Sequence, residues 1–404
     1  MHTCSGAIVN GSSKPDGVGR CLGNEGDPTL DFGFSEEQEM LRDAAKRFLA
    51  DNCSTKFVRQ MMADATAHDP AFWQKLVQQG WPGLLIPEQY GGAHGTFLDM
   101  TVIVEELGKA LAPGPFFAAA LMGVPALLEG GSDALKKEFL PKIAEGKFIP
   151  TVAIAEASGR FDAGGIELKA AKKGSGYTLN GEKFFVPDAH VADAIIVAAR
   201  TGGAGENGIT LLCVPSNAPG LSITQLKTVD MTRRMCHLKL DNVAADTVIG
   251  TPDNGWAVLR RVLDVATSAL STEMVGTAQK SLDIAVDYAK TRVQFGKPIG
   301  SFQAVKHKCV DMMVAVENAR SLAYYAAWTV DERVPEAQSA VPMAKAYASD
   351  MAKNVTSESI QVHGGIGFTW EHDCHLYHRR ALAGEANLGN APIHRETVAR
   401  VLLS

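Results

Sequence analysis

One tract constrains this chain more than any other. Residues 256–295 contain no proline and place Val258, Val262, Val265, Ala269, Val275, Ala278, Leu282 and Ala285 near a 3.6-residue period. That spacing predicts a single long helix, apolar on more than one face. Such a helix cannot stand alone. The stretches 303–330 and 341–362 carry similar patterns, and long apolar helices joined by short loops make a helical bundle. Helices of this kind commonly pack against a second subunit as well.

The texture before this bundle is different. Between residues 151 and 250, short runs at 192–199, 209–214 and 221–226 alternate with Gly, Pro and Asn, as strands do. Asn180-Gly181, flanked by Tyr177-Thr178-Leu179 and Lys183-Phe184-Phe185-Val186, predicts a two-residue hairpin turn, because both positions tolerate positive φ. A small β-barrel or sandwich is expected here. Ahead of it, Ser35 with Gln38 three residues later forms a capping-box pattern, and further helices are expected over 98–111 and 134–145. The fold class is therefore α+β multidomain. It comprises a leader at 1–30 read as disordered, a helical domain at 31–148, a β-domain at 149–250 and a C-terminal four-helix bundle at 251–404.

Composition narrows the function. At 404 residues, with 46% hydrophobic and 21% charged side chains, the chain has the balance of a soluble globular protein. The net charge of −6 argues against nucleic acid as a partner, since a basic stripe is the usual footprint. No run approaches the length of a membrane span. Seven cysteines without close pairs or a CxxC read as reduced thiols, and the leader lacks the basic start and apolar stretch of a signal peptide, so a cytoplasmic protein is expected.

Two segments carry the chemistry. The first is Arg292-Val293-Gln294-Phe295-Gly296-Lys297-Pro298-Ile299-Gly300 with Phe302-Gln303-Ala304, and the second is Gln361-Val362-His363-Gly364-Gly365-Ile366-Gly367-Phe368-Thr369. Read alone, Arg292 could be a helix-end cation and the glycines a helix C-cap. Together they closely resemble the two flavin-binding segments of the acyl-CoA dehydrogenases, whose domain order this chain also follows after residue 31. The resemblance implies FAD bound between two subunits, hence a dimer or tetramer. In it Arg292 meets the pyrophosphate, Phe295, Gln303 and Gln361 serve the nucleotide, and Gly364 and Gly365 offer bare backbone N–H groups. It also implies an acyl-CoA substrate and an electron-transfer flavoprotein or similar acceptor.

The chain departs from the family in two places. Ala155-Glu156-Ala157-Ser158-Gly159-Arg160-Phe161-Asp162 stands where the family has Thr-Glu-Pro and Gly-Ser-Asp, and Pro187 replaces a hydroxyl residue at the flavin edge, although Phe185 can still pack on the ring. The catalytic base is also missing. α,β-Dehydrogenation needs a carboxylate to remove the α-proton, yet the family's two usual positions fall on Leu388 and Ala266. Three explanations compete. Glu385 serves as base if its segment stays helical, placing it one turn from Leu388. Asp264 or Glu273 reaches in from the long helix. Or the chain is the non-catalytic or less active partner in a hetero-oligomer, as occurs in family members acting on steroid side chains. The Leu388 backbone N–H remains a possible oxyanion donor. No metal is expected: Glu371-His372-Asp373-Cys374-His375 and His378 lack a metal-ligand motif, and His375 and His378 suit an interface or the flavin surroundings.

Overall fold

The computed structural model describes residues 34–403. The leader expected at 1–30, with Cys4 and Cys21, lies outside the described residues. The expected α+β architecture is present. Helices α1 (Glu36–Asn52), α2 (Thr55–Ala63), α3 (Pro70–Gln78) and α4 (Phe97–Ala110) come first. They are followed by α5 (Phe116–Ala118), which runs through a π-helical turn into α6 (Val124–Gly130), and by α7 (Asp133–Ala144). The capping box forms at the start of α1: Gln38 N donates to Ser35 Oγ at 3.2 Å, and Ser35 N donates to Gln38 Oε1 at 3.1 Å.

The β-domain comprises β1 (Pro150–Ala153), β2 (Lys169–Lys173), β3 (Gly176–Pro187), β4 (Ala194–Arg200), β5 (Ile209–Pro215), β6 (Leu221–Gln225), β7 (Met235–Ala245) and β8 (Thr247–Ile249). One mixed sheet runs β6-β7-β3-β2-β4-β5-β8, with β1 pairing parallel to β4. Alternate inward side chains such as Leu179, Ile195, Val197, Leu212, Leu238 and Val243 make its core.

Asn180-Gly181 is not the expected hairpin turn. β3 passes straight through it as one strand, with an irregularity in its pairing to β7 between Leu179 and Gly181. The reason is local: Asn242 N donates to Asn180 Oδ1 at 2.8 Å, and β7 pairs with β3 on both sides of the break. The dipeptide therefore makes a bulge, which needs the same backbone freedom as a turn. The reversal itself lies between β2 and β3, at Gly174 with its φ of 61°.

The long tract forms α8 (Trp256–Thr291), followed by a small hairpin of β9 (Val293–Gln294) and β10 (Lys297–Pro298). Then come α9 (Gln303–Asp331), α10 (Ala337–His363), α11 (Cys374–Ala386) and α12 (Ala391–Leu403). Helices α8 to α11 pack as a bundle, and α4 lies along α8. That last contact depends on two glycines. A Cβ on Gly108 would strike the Glu273 carbonyl, and one on Gly276 would strike the Glu105 carbonyl, so the two backbones approach where side chains are absent. Buried Glu105 ties this seam to α9 through Arg320 and Tyr324. No helix among the described residues is long and apolar enough to cross a membrane. Cys53, Cys213, Cys236, Cys309 and Cys374 are free thiols.

Candidate active site

Where the β-domain meets α11, the structure encloses a cavity of about 490 Å³. Its rim carries exposed Lys227 and Val229 from the loop after β6, with half-buried Gly159. Phe161, Phe185, Met235, Leu270 and Leu382 make its apolar walls, and Asp230, Arg233 and Arg380 lie at its buried end. Phe185 reaches the wall because the backbone at the end of β3 turns there, at a φ of 55°.

The buried end is a closed charge network. Arg380, 3% exposed, donates from Nη1 to Glu273 Oε1 at 2.7 Å and pairs through Nε with Asp230 Oδ2 at 2.7 Å. It also donates to Thr232 Oγ1. Arg233 Nη2 donates to the other oxygen of Glu273 at 2.7 Å. Burial pushes the Glu273 carboxyl up, but the pull of Arg233 and Arg380 outweighs it and leaves the group below its ordinary value. An ionised carboxylate with both oxygens held by guanidinium groups is a poor proton acceptor. Asp230 is spent in the same way: its Oδ1 accepts from Thr232 N at 2.8 Å and from Thr232 Oγ1 at 2.6 Å. Among the described residues, the cavity wall holds no unpaired carboxylate.

A second, very small cavity lies next to the first and shares Phe161, Phe185 and Asn387 with it. Pro187 and Leu388 also line it. Leu388 is buried with a φ of 57°, and its N–H donates to Asn387 Oδ1 at 3.1 Å, so that donor is already engaged. Its carbonyl accepts from His394 Nε2 at 2.9 Å. The buried Lys345 ammonium donates to the Glu385 carbonyl at 3.1 Å and to the Gly389 carbonyl at 2.9 Å, clamping the backbone on both sides of Leu388. Burial pushes Lys345 down to about 7, against the opposing pull of Glu385.

Glu385 does not stand where the sequence placed it. The helix ends at Ala386 and Asn387 is extended, so residues 385 and 388 do not share a helical face. Gly384, Ala386 and Asn387 line the main cavity, whereas Glu385 does not. Asp264 lies off both cavity walls as well, and burial, opposed by Arg260 and Arg261, pushes it up to about 6. Ala266 is fully buried. Asp188, unnoticed in the sequence, follows Pro187 in the buried interior, and its Oδ2 has no hydrogen-bond partner. Burial pushes it up to about 7, while Arg233, Arg380 and Arg234 pull it down. It lines neither cavity.

The two candidate flavin segments come together at one end of the bundle. One turn before Arg292, Tyr288 stacks on His363 with ring centroids 4.4 Å apart, next to Gly364. Arg292 caps α8, is exposed, and its guanidinium makes no hydrogen bond or ion pair among the described residues. Gln303 opens α9 and Gln361 lies in the last turn of α10, both exposed. Phe295 is 93% exposed, and Phe368 and Trp370 are exposed nearby in sequence to the glycines. No atom lies within 4 Å of where a Cβ would stand on Gly364 or Gly365, so the backbone there is open to an approaching group.

The histidines of this end are engaged in part within the bundle, with His363 Nε2 and His375 Nδ1 left without a hydrogen-bond partner among the described residues. His363, His372 and Cys374 place possible donor atoms within 4.8 Å of one another. His363 Nδ1 hydrogen-bonds the Ser359 carbonyl at 2.7 Å, and Cys374 N donates to His372 Nδ1 at 3.3 Å. His375 stacks on Trp370, and His378 hydrogen-bonds Thr356.

With this geometry in place, comparison with known proteins gives a consistent result. Residues 35–147, 151–243 and 253–403 match the models of the acyl-CoA dehydrogenase N-terminal, middle and C-terminal domains. The chain is 34% identical to "Probable acyl-CoA dehydrogenase YngJ" of Bacillus subtilis, covering 93% of this chain and 100% of that one. It is 34% identical to acyl-CoA dehydrogenase IpdE2 of Mycolicibacterium smegmatis, covering 91% and 98%. Among solved structures, butyryl-CoA dehydrogenase from Megasphaera elsdenii superposes with a TM-score of 0.86 at 28% identity, covering 93% of this chain and all of that one.

Proposed function

The chain belongs to the acyl-CoA dehydrogenase family, and from that membership we propose FAD-dependent α,β-dehydrogenation of an acyl-CoA thioester by a hetero-oligomer in which this chain is the subunit without a base. Its class is that of an oxidoreductase acting on an acyl-CoA. The observation that supports the finer reading is the cavity wall, where the carboxylate of Asp230 is tied to Arg380; Leu388, which the family resemblance aligns with a usual base position, lines the small adjoining cavity with an apolar side chain.

The residues at the bundle end fit FAD. Arg292 offers an uncommitted guanidinium suited to a pyrophosphate, and Gly364 and Gly365 leave space for the phosphates to reach backbone N–H groups. Phe295 and Phe368 present apolar surface that a ligand or second subunit would cover. When bound, FAD supplies the acceptor for the hydride that leaves the β-carbon. Phe185 and Pro187 would wall the reacting region and exclude water, while Lys345 and His394 hold the backbone around Leu388, whose side chain takes no proton. An electron-transfer flavoprotein or similar acceptor would then reoxidise the cofactor.

The test is co-purification with a second chain of the same family, followed by mass spectrometry and flavin spectroscopy. The expected result is bound FAD whose absorption bleaches with acyl-CoA only when the second chain is present. Bleaching by this chain alone would show that it carries its own base. Absence of FAD under both conditions would remove the flavin reading.

A further inference from the structure

The main cavity has a mouth and a floor of different character. Lys227 and Val229 at the mouth are exposed, whereas Asp230, Arg233 and Arg380 at the floor are enclosed. A CoA thioester that enters such a cavity leaves its nucleotide outside and sends its acyl group toward the floor. That floor is unsuited to a plain alkyl chain, because an apolar tail set against a buried guanidinium gives its N–H groups no acceptor.

The charges at the floor balance, with Arg233 and Arg380 set against Glu273 and Asp230, but the hydrogen-bond donors are not all used. Arg380 is saturated by Asp230, Glu273 and Thr232. Glu273 has given one oxygen to each arginine. Arg233 has only that one carboxylate contact, and its guanidinium lies 4.7 Å from the centre of the Phe117 ring. Its side chain is 10% exposed and lines the cavity, and its remaining N–H groups donate to nothing among the described residues. Arg234, the next residue, is spent on the carbonyls of Met62 and Asp64. A nearly buried guanidinium in the cavity lining, with one hydrogen-bonded carboxylate and unused N–H donors, suits an anionic acceptor. Asp188, whose Oδ2 has no hydrogen-bond partner among the described residues, is a further carboxylate that feels its charge without bonding to it.

We propose that Arg233 recognises a carboxylate on the acyl group, so that the substrate class is the mono-CoA thioester of a dicarboxylic acid. This rests on the acyl-CoA reading above and specifies what lies at the far end of the acyl group. Arg233 is a specificity residue in this account and takes no part in proton removal.

The test uses binding, which needs no catalytic base. Hexanoyl-CoA and adipyl-CoA, and octanoyl-CoA and suberyl-CoA, are titrated into the flavin-loaded protein, together with its partner chain if one co-purifies. In each pair the carboxylate-bearing thioester should bind about tenfold tighter or more, the value of a charge-assisted hydrogen bond. In Arg233→Gln the ratio should fall to near one, and in Arg233→Lys part of it should return. Should the Gln variant fail to fold, the wild-type ratio and the Lys variant decide the matter. Equal binding within each pair, or a preference that survives Arg233→Gln, overturns the proposal and leaves the acyl-CoA reading intact. Failure of free CoA and of every thioester to bind overturns both.

Discussion

The end of the bundle near Arg292 and the floor of the cavity near Glu273 treat charged groups in opposite ways. At the bundle end, Arg292 is exposed and uncommitted, Gly364 and Gly365 leave their surroundings empty, and Phe295 stands in the open. At the floor, Glu273 and Asp230 are enclosed and every carboxylate oxygen that faces the cavity is paired. Free donors at a surface invite a ligand. Saturated carboxylates give stability and orientation but accept protons poorly. On the function proposed above, the contrast separates two tasks usually found in one subunit: holding a cofactor and a substrate, assigned to this chain, and starting the reaction, assigned to its partner.

The largest effect should come from breaking the floor. Glu273→Gln removes the carboxylate shared by two buried arginines, and loss of one partner from such a pair costs about 3–5 kcal/mol. Denaturant unfolding should show a loss of that size, and an unchanged midpoint would mean that the network does not organise this end. Next comes the gain expected from Leu388→Glu, which supplies a carboxylate at a wall of the small cavity. Acyl-CoA should then reduce bound flavin at least roughly a hundredfold faster than in the parent chain assayed alone. Leu388→Gln should not, which separates proton acceptance from polarity.

The flavin end gives the third test. Arg292→Ala should weaken FAD by about 1.5–3 kcal/mol, the worth of a charge-assisted contact. Arg333→Ala should leave FAD occupancy essentially unchanged, since Arg333 is an exposed partner of Glu129. Equal losses in the two variants would detach Arg292 from the cofactor. The smallest effect is expected at Glu385, which is off the cavity wall. Glu385→Gln should leave flavin reduction by the assembled enzyme unaltered, and its cost in stability should be a modest one, from loss of the charge that favours the buried Lys345 ammonium.

Periodic features were the most legible in the sequence. The apolar repeat after Trp256 fixed α8, and the strand runs reappear as β4, β5 and β6. Features set by a partner segment were not. Asn180-Gly181 has the composition of a turn, and only the presence of β7 alongside turns it into a bulge. Glu385 looked one helical turn from Leu388, but the helix stops at Ala386 as the chain enters the loop clamped by Lys345. The pairing of Arg233 and Arg380 on Glu273 joins three distant segments, so no local pattern announces it. The only hint was two adjacent arginine pairs, Arg233-Arg234 and Arg379-Arg380, in a chain whose Glu273 sits on an otherwise uncharged stretch of helix.

The central claim, that this chain binds substrate without a base to deprotonate it, is tested most directly by hydrogen exchange at the substrate's α-carbon. Adipyl-CoA or hexanoyl-CoA is incubated in deuterium oxide with the FAD-loaded chain alone, and deuterium at the α-position is read by mass spectrometry. The account predicts exchange no faster than in buffer for the single chain, and rapid exchange once Leu388→Glu supplies a carboxylate. Rapid α-exchange catalysed by the unmodified chain alone would contradict it, because a proton acceptor would then have to be present within this subunit.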